Sequence, residues 1–371
     1  MTSAPHPLLP AATPVLRDGA RAVQVGGVDT GVGVRIGPDA AGLARLLRGL
    51  DGRRSQRAVL ADAGRSGLDP ATVTGVLDGL RAAGVLLDVD PADLLAADAG
   101  PAAAARTAAE LPTALATGPA GAVWERRRAA VVVVEGATRV GVPLAAVLAA
   151  SGVGRIDVRD TGVVTAGDAI VGGLGAADEG RPRAVAAADA VRRASPLTDL
   201  RPLADEAADL VVLARPWAAS DPLTTADLDP QIAHLVAVVR GDVGVVGPLV
   251  VPGTTSCLRC ADLHRRDADP RWPRLAAQLT AADPPPSGAT VTCLATVATA
   301  ALQVLSFLDG TAAPVTLGAT VELRPPDLRP RLRRWPAHPA CGCGALADDT
   351  REEDRAARPG EIDGLQGRMG G

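Results

Sequence analysis

One stretch of the sequence, Val131–Asp160, restricts the fold more than any other part of the chain. It opens with four consecutive valines, a run typical of a strand that is buried on both faces of a parallel sheet. A glycine turn, an apolar helix and a second strand follow, and the second strand ends at Asp160. This order predicts a βαβ unit of the nucleotide-binding type, in which the acid bonds a ribose hydroxyl.

The glycines of this unit are spaced more loosely than in the usual dinucleotide fingerprint. Gly136 opens the predicted turn and Gly141 begins the predicted helix, and no glycine lies between them. Glycine patterns of this kind are weakly specific on their own. The residues therefore leave two interpretations open, a nucleotide site and a plain crossover of a helix onto a sheet.

Charge and composition limit the partners of the chain. The formal net charge of −4 and the pI near 5.7 argue against a general nucleic-acid binder. The chain contains no lysine, which excludes a P-loop because that motif needs a lysine to reach the phosphates. We find neither a signal peptide nor an apolar run of membrane-spanning length. We therefore expect a cytoplasmic protein without nucleic-acid or membrane partners.

The chain divides into four predicted regions. Residues 15–88 form a separate module, residues 89–128 a linker rich in Ala, Asp and Pro, residues 129–344 an α/β domain, and residues 345–371 a charged tail expected to be disordered. Within the α/β domain, residues 243–251 are expected to form a hairpin that turns near Gly247.

The first module combines three short strands, three helices and a return strand, the order of a winged helix. Its third helix is the clearest, because Asp69 is a suitable N-cap and Pro70 suits the first helical position. Three roles stay open for such a module: DNA binding, a structural cap, and capture of an extended peptide by strand addition. DNA binding is disfavoured, since the third helix offers one arginine and one acid to a phosphate backbone.

Four of the five cysteines form two close pairs, Cys257 with Cys260 and Cys341 with Cys343. Short thiolate pairs separated by a long insertion suit tetrahedral zinc, because each turn presents two sulfurs to one ion. A redox pair and a disulfide remain alternatives, the disulfide being disfavoured in a reducing cytoplasm. The fifth cysteine, Cys293, is expected in the core.

Three passages of the first module resemble the PqqD-like peptide-recognition domains of ribosomal peptide maturation: ValArgIleGly at residues 34–37, residues 46–55, and residues 80–88. The resemblance implies that a leader peptide adds to the third strand, Val32–Ile36, and lies against the third helix, Val73–Arg81. The residues implied in peptide contact are Val32, Val34, Ile36, Val73, Val76, Leu77 and Leu80.

The rest of the chain resembles the ThiF-like adenylating enzymes related to ubiquitin-activating proteins. The resemblance is carried by the βαβ unit, the strand passage at residues 208–213, residues 256–279 and the HisProAlaCysGlyCys close at residues 338–343. The two cysteine passages are similar to those of actinobacterial cyclodehydratase-type members, which carry a peptide-recognition domain in front. The resemblance implies a nucleotide pocket formed by Gly136, Gly141, Asp160 and Arg183.

The chain departs from the adenylating pattern at several polar positions of this pocket. Gly162 replaces a second acid, Asp168 stands for an asparagine, and Val171 stands for an arginine. Arg183 replaces a lysine, and Pro216 occupies the place of an aspartate that follows the fourth strand. These changes remove groups that manage Mg²⁺ and phosphate charge during acyl-adenylate formation. We therefore predict a degenerate pocket that binds ATP weakly or not at all.

Together these features predict an α/β protein: a winged-helix (PqqD-like) module followed by a Rossmann-like ThiF-type domain with a structural zinc site. The resemblance implies a leader-peptide-binding scaffold without catalysis that presents a ribosomal precursor to a YcaO-type cyclodehydratase for azoline formation. An active adenylyltransferase that uses Arg183 and a solitary interaction protein are the alternatives. A homodimer is an oligomeric state that the resemblance allows.

Overall fold

The computed structural model describes residues 5–10, 12–19, 21–28, 33–37, 40–89, 110, 122–203, 208–221, 231–281 and 286–345. These residues form an N-terminal module and an α/β domain. Most of the predicted linker, and all but the first residue of the predicted tail, lie outside the described residues.

The N-terminal module contains the three helices and four strands that its sequence predicts, together with one further strand. Its elements are β1 (His6–Leu8), β2 (Val15–Asp18), β3 (Ala22–Gly26), β4 (Gly33–Ile36), α1 (Ala40–Arg48), α2 (Gln56–Arg65), α3 (Pro70–Ala82) and β5 (Leu87–Val89). Strands β2, β3 and β4 form an antiparallel sheet in that order. The return strand β5 pairs with β1, which the sequence analysis did not predict. The winged-helix assignment stays a prediction.

Capping and side-chain bonds fix the third helix of this module. Asp69 accepts hydrogen bonds from the backbone N–H groups of Ala71 and Thr72, so α3 begins at Pro70 as the sequence predicts. At the other end, Arg81 donates to Asp88 on β5 at 2.7 Å and to Gln56 on α2 at 2.6 Å. One arginine therefore ties α3 to both neighbouring elements.

The α/β domain is built on a mixed seven-stranded sheet, which confirms the α/β class. Its strands are β6 (Val131–Glu135), β7 (Arg155–Arg159), β8 (Leu210–Leu213), β9 (His234–Arg240), β10 (Val243–Val250), β11 (Ala319–Leu323) and β12 (Pro330–Arg334). The sheet order is β12-β11-β10-β9-β8-β6-β7. Strands β7, β6, β8 and β9 run parallel, and β10 to β12 are antiparallel to their neighbours.

Six helices accompany this sheet among the described residues. They are α4 (Ala122–Ala129), α5 (Gly141–Ala150), α6 (Arg183–Ala194), α7 (Leu258–Ala268), α8 (Trp272–Ala281) and α9 (Thr290–Asp309). Val132 and Val134 of β6 are fully buried in a core cluster that includes residues of α5 and α9. Val133, which lies between them, is buried in a second core cluster, so the apolar run of β6 is explained by burial of the strand on both sides. The carboxyl ends of β6 to β9 share one edge of the sheet, where ligands bind in open α/β folds.

Two expectations about the α/β domain were wrong. The segment expected to form a hairpin is the single strand β10, which continues past Gly247 with a shift of register between Val246 and Leu249. The second expectation was that the chain has no apolar run of membrane-spanning length, but helix α9 has the length and apolar composition of a membrane span. It packs against the sheet and buries residues such as Cys293, Val297 and Ala300, as the core helix of a folded domain does.

Candidate functional site

The four paired cysteines converge on one point. Cys257 and Cys260 lie at the start of α7, while Cys341 and Cys343 lie in the turn that follows β12. The Sγ atoms of Cys257 and Cys341 are 3.6 Å apart, as are those of Cys260 and Cys343, and those of Cys257 and Cys260 are 3.9 Å apart. Zinc with four sulfur ligands at about 2.3 Å separates its sulfurs by about 3.8 Å. The cluster therefore has the dimensions of a four-thiolate zinc site, and its thiols are free rather than joined in disulfides.

Two histidines near the cysteine pairs lie outside this ligand set. The backbone N–H of His338 donates to Cys260 Sγ over 3.4 Å. Its Nδ1 accepts from the N–H of Ala340, so Nε2 carries the proton and donates to Asp267 at 2.8 Å. His264 contacts the carbonyl of Pro336 through Nε2, and its ring lies edge-on to that of His338. Both imidazoles support the turn around the sulfurs.

The ionisation of the thiols explains why this cluster requires a bound cation. Burial raises the pKa of Cys257 and of Cys341. Burial also acts on Cys343, but the N–H of Ala345 and the adjacent thiols prevail and lower its pKa to about 7. Adjacent thiolates repel one another, so a bound cation is the group that stabilises all four in the ligating form.

At the nucleotide edge, the two predicted glycines are required by the packing of the chain itself. A Cβ atom at Gly141 would lie 2.0 Å from the carbonyl oxygen of Gly136. A Cβ atom at Gly136, whose φ is +115°, would lie 2.6 Å from Cγ of Arg215. Both glycines therefore fit a close crossover, whether or not a nucleotide binds there.

The acid at the predicted ribose position already accepts hydrogen bonds from backbone N–H groups. Asp160 follows β7, as predicted, and its Oδ2 accepts from the N–H of Ala137 at 2.9 Å. Its Oδ1 accepts from the N–H of Gly162 at 2.7 Å. Asp160 thus connects the turn after β6 to the turn after β7, and a ribose hydroxyl would have to share its oxygens.

The predicted phosphate-binding arginine forms an internal ion pair. Arg183 lies at the start of α6 and donates to the buried carboxylate of Asp168. The side chain of Arg183 also lies close to Gly162, where an added Cβ would be 3.1 Å from Nη1. Asp160, Gly162, Asp168 and Arg183 are therefore brought together, while Val171 is largely exposed on the loop before α6.

The residues implied in peptide contact fall into two groups. Val34 and Val76 are partly buried at the margin of the module's core. The fully or mostly buried residues are Ile36, Val73, Leu77 and Leu80. Val32 lies outside the described residues. Among the described strands β4 pairs only with β3, so its other edge is unpaired.

Sequence reasoning missed a cluster of tryptophans and arginines drawn from several elements: the loop after β8, the end of β9, helices α7 and α8, and the segment around the end of β12. Trp217, Trp272 and Trp335 each lie beneath an arginine guanidinium. The signal that points to them is rarity, since the chain has four Trp, one Phe and no Tyr. Three of its few aromatic rings gather around cations.

The sequence profile of the ThiF family matches residues 116–345. Among solved structures, the microcin C7 biosynthetic enzyme MccB in complex with N-formylated MccA has 16% sequence identity and a TM-score of 0.58, over 91% of this chain and 99% of that chain. Escherichia coli MccB with ATP has 17% identity and a TM-score of 0.58, over 91% and 99%. A heterocyclase in complex with substrate and cofactor has 15% identity and a TM-score of 0.54; the likeness covers 97% of this chain and 42% of that chain. No curated protein sequence matches. At these identities the likeness is one of fold.

Proposed function

The chain belongs to the ThiF family, and from that premise we propose that it is a leader-peptide-binding scaffold without adenylation activity. It presents a ribosomal precursor peptide to a YcaO-type cyclodehydratase for azoline formation. The observation that carries the proposal is the edge of β4 that pairs with none of the described strands, to which an extended peptide can add as a further strand. The structural neighbours include MccB bound to MccA and a heterocyclase bound to its substrate.

The main-chain groups that face the open edge of β4 follow from the hydrogen-bond pattern. The N–H of Gly26 on β3 donates to Pro14, just before β2, so it points toward β2. By alternation, Val25 points toward β4 and pairs there with Val34. Gly33 and Arg35 are therefore the residues of β4 whose N–H and C=O groups face away from β3, and of the two Arg35 lies inside the strand rather than at its end. Its amide is the donor that a peptide strand would use.

Side-chain burial separates direct contacts from support. Val34 and Val76 keep some apolar surface at the margin of the core, and they are the residues that we assign to direct peptide contact. Val73, Leu77 and Leu80 are almost completely buried, so they hold α3 in place beneath that surface. Specificity in strand addition comes from such side-chain contacts, and affinity comes from main-chain bonds.

The absence of adenylation is supported by the ion pair at the nucleotide edge. A phosphate that approaches Arg183 meets the carboxylate of Asp168 at the same guanidinium. The repulsion between two anions opposes binding, and no lysine is present to compensate. Zinc has a structural role in this proposal, because its ligands come from α7 and from the turn after β12, which are far apart in sequence.

The heterocyclase chain extends well beyond the part that this chain matches. The likeness spans 42% of that chain. We propose that a YcaO-type cyclodehydratase is the partner that modifies the peptide. The peptide would then be held by one protein and modified by the other.

The test uses the full-length protein and a precursor leader from the same genome. Amide exchange should show protection at Arg35 on addition of leader. The variant Arg35→Pro removes this outward-facing donor and should abolish binding, whereas Arg35→Ala keeps the amide and should bind. Equal leader binding by both variants, or protection confined to the α/β domain, would refute strand addition at β4.

A further inference from the structure

Arg240, the last residue of β9, is a partly buried cation for which the described residues provide no acceptor. Its Nε is buried and has no hydrogen-bond partner, and within the described parts of the chain no carboxylate or carbonyl accepts from its guanidinium. The guanidinium lies 4.1 Å from the ring centroid of Trp217. Burial, with a smaller effect of the nearby Arg265, lowers the pKa of Arg240 to about 10. A desolvated guanidinium with unused donors is costly to hold unless an anion completes it.

The acids that act on Arg240 are already engaged. Asp262 accepts at one oxygen from Arg265 over 2.9 Å, from the indole N–H of Trp272 over 3.3 Å and from the hydroxyl of Ser220 over 3.2 Å. The other acid, Glu322, is paired with Arg324 at 2.6 Å. Local positive charge is therefore in excess.

The aromatic wall of this cluster is held in place by an unusual backbone. Trp217 has a φ of +65°, a left-handed conformation that costs a non-glycine residue about 1–3 kcal/mol. Its ring lies 6.2 Å from that of Trp272, centroid to centroid. The guanidinium of Arg265 lies 5.4 Å from the Trp272 ring and 4.7 Å from that of Trp335. A left-handed conformation such as that of Trp217 persists where the surrounding structure requires one particular geometry.

Two members of the cluster, Trp217 and Arg240, lie at the edge of the sheet where ligands bind in this class of fold. Strands β8 and β9 are parallel, and Trp217 follows the end of β8 while Arg240 ends β9. Both side chains therefore belong to the carboxyl edge of the sheet. They are separate from the Arg183–Asp168 pair, which lies beyond β7 on the loop before α6.

We propose that Arg240, against the ring of Trp217 and with the positive charge of Arg265 nearby, binds a carboxylate group of a peptide. A planar carboxylate matches the fork of a guanidinium and can stack beside an indole, which a tetrahedral phosphate does less well. The group is either a C-terminal carboxylate or an acidic side chain. Only the assignment of the ligand to a peptide rests on the proposed function; the site itself rests on the residues above.

The experiment uses full-length protein and four small probes. N-acetylglycylglycine carries a C-terminal carboxylate, N-acetylaspartate methylamide carries a side-chain carboxylate, N-acetylglycylglycinamide is the neutral match, and inorganic phosphate is the tetrahedral anion. Tryptophan fluorescence gives affinity, and the thermal unfolding midpoint gives an independent reading, since a ligand of the folded state raises it. We expect saturable binding of at least one carboxylate and none of the neutral amide.

Variants locate the binding. Arg240→Gln should weaken carboxylate binding by about ten- to a hundredfold, because charge-assisted hydrogen bonds are lost. Arg240→Lys keeps the positive charge but loses the planar, bidentate geometry of the guanidinium, so it should weaken binding severalfold. This variant replaces the glutamine variant if the latter does not fold. Arg329→Gln, at an exposed arginine paired with Asp327, is the matched control and should bind as the wild type does.

Several outcomes would overturn the proposal. They are no saturable carboxylate binding up to about 50 mM, binding unaffected by Arg240→Gln and Arg240→Lys, equal binding of the neutral amide, and tighter binding of phosphate than of either carboxylate. The comparison of the two carboxylate probes identifies the source of the group. These probes are too short to pair along β4. A result here therefore stands or fails independently of leader protection at Arg35.

Discussion

Arg183 donates from one nitrogen, Nη2, to both carboxylate oxygens of Asp168, over 3.0 and 3.2 Å. Asp168 also accepts from the backbone N–H and the hydroxyl of Thr165, which fixes its orientation. Arg183, which the sequence analysis assigned to the nucleotide pocket, is thus neutralised by an acid of the preceding loop. Asp168 is buried and Arg183 is partly buried, so a nucleotide would have to offset the loss of this pair.

The first prediction concerns ATP. We expect the wild-type protein to bind Mg-ATP with a dissociation constant above about 1 mM and to show no ATP–pyrophosphate exchange with peptide carboxylates. Asp168→Asn removes the competing charge and should tighten binding by up to about tenfold. Calorimetry measures both. Asp189→Asn, another acid paired with an arginine, is the control and should have no effect.

Micromolar affinity of the wild type for Mg-ATP would contradict this prediction. Exchange activity that disappears in Arg183→Ala would do so more strongly, because it would identify Arg183 as a working phosphate ligand. Either result favours the active adenylyltransferase.

The second prediction concerns zinc. Purified protein should contain about one Zn²⁺ per chain, held by four thiolates. Cys257→Ser and Cys341→Ser should each release the metal and lower the unfolding midpoint, because each removes a ligand from a different segment. Elemental analysis and thermal unfolding are the measurements. The matched control is Cys293→Ser, which changes a buried cysteine outside the cluster and should retain zinc.

Local signals explain what the sequence predicts correctly. The valine run of β6, the Asp69–Pro70 start of α3 and the two cysteine pairs each lie within a few residues, and the structure contains all three. The pairing of β1 with β5 escaped prediction because β1 has three residues, one of them proline, and its partner is distant in sequence. The cluster around Arg240 escaped for the same reason, since its members come from separate elements.

The third prediction concerns the joint between α4 and α9. Arg127 donates from Nε and Nη2 to the two oxygens of Asp309, at 2.8 and 2.7 Å, and both side chains are buried. Asp309→Ala leaves a buried guanidinium unpaired and should lower the free energy of unfolding by about 3–5 kcal/mol. The double variant Arg127→Met with Asp309→Leu should recover much of this loss. Urea unfolding measures both, and a loss below about 1 kcal/mol in the single variant would contradict the expectation.

The fourth prediction concerns acid stability. Hydrogen bonds from Arg201 lower the pKa of Asp199 from 3.8 to about 2. A carboxyl whose folded pKa is lowered stabilises the folded state above its unfolded pKa, and the contribution disappears as the pH falls through the folded value. The difference in unfolding free energy between wild type and Asp199→Asn should therefore shrink between about pH 5 and pH 2. Because the pair is partly exposed, the difference should stay below about 1 kcal/mol. Arg201→Gln should show the same window, and a difference that grows on acidification would contradict the assignment.

The last prediction separates peptide contact from core packing on α3. Val76 is partly buried and Leu77 is fully buried, although they are neighbours in the chain. Val76→Ser should weaken leader binding by at least about threefold while the unfolding free energy changes by less than about 1.5 kcal/mol. Leu77→Ala should instead destabilise the module by about 2–5 kcal/mol, because it opens a cavity in the core. Calorimetric leader titration and urea unfolding are measured on both variants, with Arg35→Ala as the control that keeps the β4 amide. If Val76→Ser binds leader as the wild type does, the peptide does not lie against this face of α3, and strand addition at β4 must act without it.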